Sequence, residues 1–121
     1  MTEQRIIIET GMGTDLHGGD VTKAALRAVE DALRRSSLPV LGTLSLDHRE
    51  MRVKVTLGAP DPEAVDTDRV AAHLPRGTVT ASAVTGGLRL DDGIVVVTAA
   101  VEAFLPVQTG RWRLSDDAPI A

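Results

Sequence analysis

From Met51 to Leu57 the chain alternates without a break: Met51, Val53, Val55 and Leu57 are apolar, while Arg52, Lys54 and Thr56 are polar. Successive side chains of a strand point to opposite faces, so this segment reads as a strand with one buried and one polar face. Such a sheet needs a second layer over its apolar side. The sequence supplies one. Between Val21 and about Arg35, the residues Ala24, Ala25, Ala28, Val29, Ala32 and Leu33 recur at helical spacing, with Lys23, Arg27, Glu30 and Arg34 on the opposite stripe. Asp20 stands at the N-cap of this helix, and Ser36-Ser37-Leu38-Pro39 ends it. A shorter helix is expected from about Glu63 or Thr67 to Leu74, capped by Asp61 or Asp66 and stopped by Pro75 and Gly77.

The remaining strands follow from β-branched runs and turn residues. Arg5–Glu9 reads as a strand buried on both faces, and Thr10–Gly19, with Gly11, Gly13, Gly18 and Gly19, as a loop. Leu41–Asp47 is a further strand, joined to Met51–Leu57 through His48-Arg49-Glu50. Thr78–Leu90 reads as one long strand with a bulge at Gly86-Gly87. Asp91-Asp92-Gly93 is expected to form a type I′ hairpin turn into the strand Ile94–Phe104. The order β-α-β-β-α-β-β predicts an α/β (α+β) fold, a mixed sheet with two helices packed on one face by right-handed crossovers. Residues 1–105 form one domain, and 106–121 a polar tail in which Arg111-Trp112-Arg113 is expected to clamp a neighbouring subunit.

Composition narrows the function classes. No cysteine is present, which excludes disulfides, thiolate metal sites and a cysteine nucleophile. The net charge is −4 with scattered basic residues, and Phe104 and Trp112 are the only aromatic side chains. Phosphate neutralisation and base stacking are therefore both lacking, and nucleic acid is not an expected partner. A core built from Val, Ile, Leu and Ala favours thin, closely packed layers. No apolar run reaches the ~18 residues of a membrane span. Met1-Thr2-Glu3-Gln4-Arg5 leads straight into a strand without a signal-peptide core, so a cytoplasmic location is expected.

The opposite sheet face offers Arg52, Lys54, Thr56, Thr80 and Ser82 in its centre, but apolar residues in the strands that begin at Ile6 and Ile94. Monomers seldom expose a large apolar patch, so a homo-oligomer is expected.

Chemistry is sought first at Thr10–Asp20, because ligands of open α/β sheets bind at the carboxyl ends of strands. The backbone N–H groups of Gly11, Gly13, Gly18 and Gly19 could approach an anionic group there. The motif is neither a dinucleotide fingerprint, lacking the third glycine, nor a P-loop, since Gly18-Gly19-Asp20 stands where Gly-Lys-Ser/Thr belongs. No cofactor is identified. Asp15, His17 and Asp20 suit a divalent cation, although Asp20 is also explained as a cap and Asp15 as a turn residue. His17, Lys23 and Asp15 are the candidate catalytic groups, His17 as general base, with Arg27 as a ligand contact one turn beyond Lys23. Lys54 and Ser82 share the polar sheet face and could contact a ligand or form a serine–lysine pair. The expected activity is that of an oligomeric enzyme on a small polar or anionic metabolite. The alternatives are non-catalytic small-molecule binding and a structural homo-oligomer.

Glu9–Val29 (ETGMGTDLHGGDVTKAALRAV), Leu57–Asp66 (LGAPDPEAVD) and the glycine pair near Leu88 resemble a family of uncharacterised bacterial and fungal proteins, the Lin-type hypothetical family. That resemblance covers most of the chain and implies no activity or catalytic residue. The element order, with VKVTLGAP after a helix and a strand, is also similar to one unit of the cyanuric acid hydrolase and barbiturase group. Those enzymes repeat a small α/β unit three times and open cyclic imides with serine–lysine pairs, so this likeness implies a trimer and cyclic-amide hydrolysis as one form of the expected activity. Their serine motifs are not recognisable here.

Overall fold

The fold was obtained as a computed structural model, which describes residues 3–34, 50–75 and 77–107. Its elements are β1 (Glu3–Asp15), α1 (Val21–Leu33), β2 (Arg52–Ala59), a 3-10 turn (Pro62–Ala64), α2 (Thr67–Ala72), β3 (Thr78–Thr85), β4 (Leu88–Arg89) and β5 (Val95–Pro106). The strands form one mixed sheet in the order β1-β5-β2-β3, with β4 also beside β5. β2 and β3 are parallel, and β5 runs antiparallel to β1, β2 and β4. The α/β class expected from the residue pattern holds. The strand expected at Leu41–Asp47 and the Arg111-Trp112-Arg113 clamp lie outside the described residues.

The period-of-two pattern fixes which side of the sheet is buried. Met51, Val53, Val55 and Leu57 join Val95, Val97, Ala99, Val101, Ala103 and Leu105 beneath the helices. α1 lies over β1 and β5, α2 over β3, and the two helices meet. Two polar contacts tie them: Asp66 N donates to Thr22 Oγ1 at 3.0 Å, and His73 Nε2 lies 3.0 Å from Glu30 Oε1. Asp20 caps α1 as expected, accepting from Lys23 N at 3.1 Å, and Asp66 caps α2 by accepting from Arg69 N at 3.1 Å. Among the described residues no helix is long and apolar enough to cross a membrane.

Two expectations are corrected. The segment Thr10–Asp15 is not a loop: β1 continues through it, with Gly11 opposite Ala99 and Gly13 opposite Val97. Gly11 and Gly13 are where the α1 backbone presses onto the strand. A Cβ at Gly13 would lie 2.2 Å from the Ala24 carbonyl oxygen, and one at Gly11 2.3 Å from that of Ala28. No room remains there for a side chain, and the glycines do not form the anion-binding loop expected of them. Glycine here serves close approach between layers, not chain reversal.

The second correction concerns Thr78–Leu90. β3 sits outside β2, whereas β5 is on the other side of β2. To reach β5, the chain must cross the end of β2, and Gly86-Gly87 is that crossing. A Cβ at Gly87 would meet the Val96 carbonyl oxygen at 2.1 Å and that of Gly58 at 2.9 Å. β4 then occupies the row that β2 vacates along β5, pairing Leu88 with Val96 just past Gly58 and Thr98. Asp91-Asp92-Gly93 returns the chain as a three-residue loop, not the two-residue type I′ turn. Gly93 N donates to Leu90 O and Leu90 N to Ile94 O, each at 2.9 Å, with Gly93 at φ 87°.

These packing distances separate two kinds of glycine. Gly13→Ala is expected to lower unfolding free energy by about 3 kcal/mol, because two layers must part to admit a methyl group. Gly18→Ala meets open space but sits at φ +84°, so its cost is expected near 1 kcal/mol. Urea midpoints of the two variants measure the difference.

Candidate functional site

The turn after β1 is built around one buried carboxylate. Asp15 is 2% exposed, and its Oδ2 accepts from Asp20 N at 2.8 Å. The backbone N–H of His17 also donates to it, and Arg27 Nη1 lies 3.6 Å from Oδ1. The Asp20 N–H holds the Asp15 carboxyl below the usual aspartate value. Burial opposes this, and Lys23, the His17 N–H and Arg27 reinforce it. Gly18 and Gly19 supply the positive φ angles, 84° and 61°, that bring the chain round to meet it.

This geometry relocates the expected site residues. Asp15, Lys23 and Arg27 do gather, but around the Asp15 carboxylate, with Arg27 also donating to Thr14 O at 2.6 Å. Cations in the first turns of a helix oppose its dipole. Here a buried anion accounts for them. His17 and Lys23 are exposed, and Asp20 is occupied as the N-cap. Among the described residues no three His, Asp or Glu groups gather as a metal site, so Asp15, His17 and Asp20 do not converge.

Because a depressed carboxylate stabilises the fold only while ionised, the sign of its pH dependence follows. At pH 7 Asp15→Asn is expected to unfold at lower urea than the parent. That gap should hold above about pH 4, the ordinary aspartate range. It should then close as pH falls through the lowered native value. Urea midpoints from pH 7 to pH 2.5 measure the gap.

The other side of the sheet has no helix over it among the described residues. The β2–β3 register sets Lys54 opposite Thr80 and Thr56 opposite Ser82. Lys54 and Ser82 are thus diagonal neighbours on one face, within reach of a common small molecule. On β5 the partners of Lys54 and Thr56 are Glu102 and Ala100, and beyond them on β1 stand Ile8 and Thr10. A hollow opens where the side chains are short, lined on this face by Thr10, Thr56, Thr98 and Ala100, bounded by Met12, and reaching Gly11 and the α1 residue Asp31 at the β1 edge.

The ends of the face differ. Toward the β1 start, Arg52 stacks 4.3 Å over the Phe104 ring and holds Glu3 through Nε at 2.9 Å and Nη2 at 2.6 Å. This bond lowers the Glu3 carboxyl and raises the Arg52 guanidinium from their ordinary values. Arg5 pairs with Glu102 at 3.1 Å. Lys54 is exposed, and no ion pair to it is formed among the described residues. Toward the other end the face is apolar, with Met12, Val84 and Leu88 each more than half exposed, and Ile8 adds an exposed apolar residue in the Lys54–Glu102 row.

Thr10, Thr98 and Ala100 were not singled out by sequence. The available signal is parity: they share the outward alternation of Lys54 and Thr56, but only the register between strands shows that they adjoin.

The family model described as a conserved hypothetical protein (Lin0512_fam) matches residues 5–107. A solved structure, an FtsZ-like protein of unknown function from Nostoc punctiforme PCC 73102, is similar at 34% identity and TM-score 0.80, over 88% of this chain and 99% of that one. No curated protein matches the chain. The likeness to a cyanuric acid hydrolase unit gains no support from these comparisons.

Proposed function

The chain belongs to the Lin0512 family of conserved hypothetical proteins, and from that starting point we propose that it binds a small polar or anionic molecule on the open face of its sheet. The observation that carries this reading is the hollow lined by Thr10, Thr56, Thr98 and Ala100 beside Ser82 and Lys54. Hydroxyl groups donate and accept, and the Lys54 ammonium supplies positive charge with no described counterion. Met12 and Ile8 provide the apolar margin typical of small-molecule sites. This reading assigns ligand recognition to the open face, where Lys54 forms no ion pair among the described residues, and not to the turn after β1, where the Asp15 carboxylate is already bonded.

Hydrolysis of a cyclic amide is a second reading, favoured by the diagonal placement of Ser82 and Lys54. A lysine takes a proton from serine only when its ammonium is desolvated. Both residues are exposed in the single chain, so this chemistry requires a covered face. Binding does not.

Thermal shift with succinate and barbiturate, one small dianion and one cyclic imide, tests the proposal. A ligand at a hundred times its Kd adds about 2.7 kcal/mol, several degrees in Tm for a chain of this size. Lys54→Ala and the hollow-filling Ala100→Leu are each expected to abolish the shift, whereas His17→Ala keeps it. A shift lost in His17→Ala but retained in Lys54→Ala returns the site to the turn and refutes the open-face reading. Release of ring-opened barbiturate, lost in Ser82→Ala, distinguishes hydrolysis from binding.

A further inference from the structure

We propose that two copies of this chain join through β3, edge to edge and antiparallel, into one continuous sheet. The inference rests on a contrast between the two edges and is independent of the ligand proposal.

The second half of the β1 edge is covered by α1: Met12 N donates to Asp31 Oδ2 at 3.0 Å, and Arg27 donates to Thr14 O at 2.6 Å. Arg27 and Asp31 lie one helical turn apart, so a single helix face caps two successive outward positions of the strand. Charged groups over an edge are a standard defence against strand addition.

Among the described residues the β3 edge has no such cover. Thr78 N donates to Met51 O and Gly86 N to Ala59 O, so the even-numbered residues of this strand turn their backbone toward β2. Val79, Ala81, Ala83 and Thr85 therefore turn theirs outward. Among the described residues no side chain is bonded to these groups. The strand, TVTASAVT, has neither charge nor proline, and is rich in β-branched residues. Among the described residues, charged side chains guard β1, and neither charge nor proline guards β3.

A second copy fits this edge because the strand is self-complementary. A two-fold axis through Ser82 sets Ala81 opposite Ala83 of the partner subunit and Val79 opposite Thr85 of the partner subunit. Each such pair exchanges two backbone hydrogen bonds. On the open face Thr80 comes opposite Val84 of the partner subunit, and Ser82 opposite itself. No like charges meet. An isologous contact of this kind closes after two copies and leaves no β3 edge free. Both hollows then lie on the same side of one extended sheet.

The experiment uses the full chain in solution. Sedimentation velocity at about 50 µM is expected to give twice the 12.8 kDa chain mass. Ala81→Pro removes only an outward N–H, which the single chain does not use, and is expected to halve the mass with an unchanged far-UV spectrum. Should that variant fail to fold, Ser82→Cys gives the answer alone. The chain has no cysteine, so oxidation can link only the two introduced thiols. Opposed residues in an antiparallel pair have Cβ atoms about 4.5–5.5 Å apart, close enough to bridge with slight adjustment. A covalent dimer from Ser82→Cys, with none from Thr98→Cys in the middle of the same face, is the expected result. A parent of single-chain mass overturns the proposal. So does crosslinking through Thr98→Cys alone, which indicates face-to-face stacking, or an Ala81→Pro variant that is folded and still dimeric.

Discussion

The contact between the α1 backbone and the glycines of β1 sets the geometry of this molecule. Ala24, Ala28 and Ala32 on the helix and Gly11 and Gly13 on the strand let the two backbones approach more closely than side chains normally permit. The absence of aromatic residues from this layer is therefore a requirement, since one ring would force helix and sheet apart. The close seat also brings α1 near the edge of the sheet, where Arg27 and Asp31 can reach around to Thr14 and Met12. A helix standing off by another side-chain layer could not cap that edge. The protection of β1 is thus a consequence of two small residues in its middle.

From this seat follows the arrangement of charge after β1. The strand delivers Asp15 into the interface between the sheet and the start of α1, where an unpaired carboxylate would be costly. Backbone N–H groups from His17 and Asp20 and the cations Lys23 and Arg27 make burial tolerable. Charges that look like a catalytic constellation are, in space, the solvation shell of one structural anion. That shell leaves the turn with few groups free to meet a ligand, and the open face gains interest by contrast.

Much of the fold was legible because it depends on local periodicity. The alternation through Met51–Leu57 and the alanine stripe of α1 each identify an element and its buried side. Both caps, Asp20 and Asp66, were within reach for the same reason. What was not legible depends on partners distant in sequence. Glycine at positions 11 and 13 reads as a loop unless Ala24 and Ala28 are known to lie above it. Gly86-Gly87 reads as a bulge unless β5 is known to lie across β2. The site shows the same division. Lys54 and Ser82 could be named from their parity, but their adjacency comes from the β2–β3 register. Thr98 and Ala100, on β5, enter only because that strand inserts between β1 and β2.

Insertion of β5 also explains why the two proposals share a surface without sharing their support. The last strand occupies the middle of the sheet and places Thr98 and Ala100 between Thr10 and Thr56, which forms the hollow. The same insertion displaces β3 to the rim and leaves its uncharged edge without cover among the described residues. A sheet built in simple chain order would have buried β3 and put β5 at the rim instead. Topology, not composition, therefore creates both the hollow and the bare edge. Pairing through β3 would set Ser82 at the seam between two hollows, on one continuous face that the second subunit extends and does not cover. Desolvation of Lys54 and Ser82 is the condition for chemistry between them. Edge-to-edge pairing leaves that face open, so it does not by itself meet the condition, and binding in the hollow stands without it.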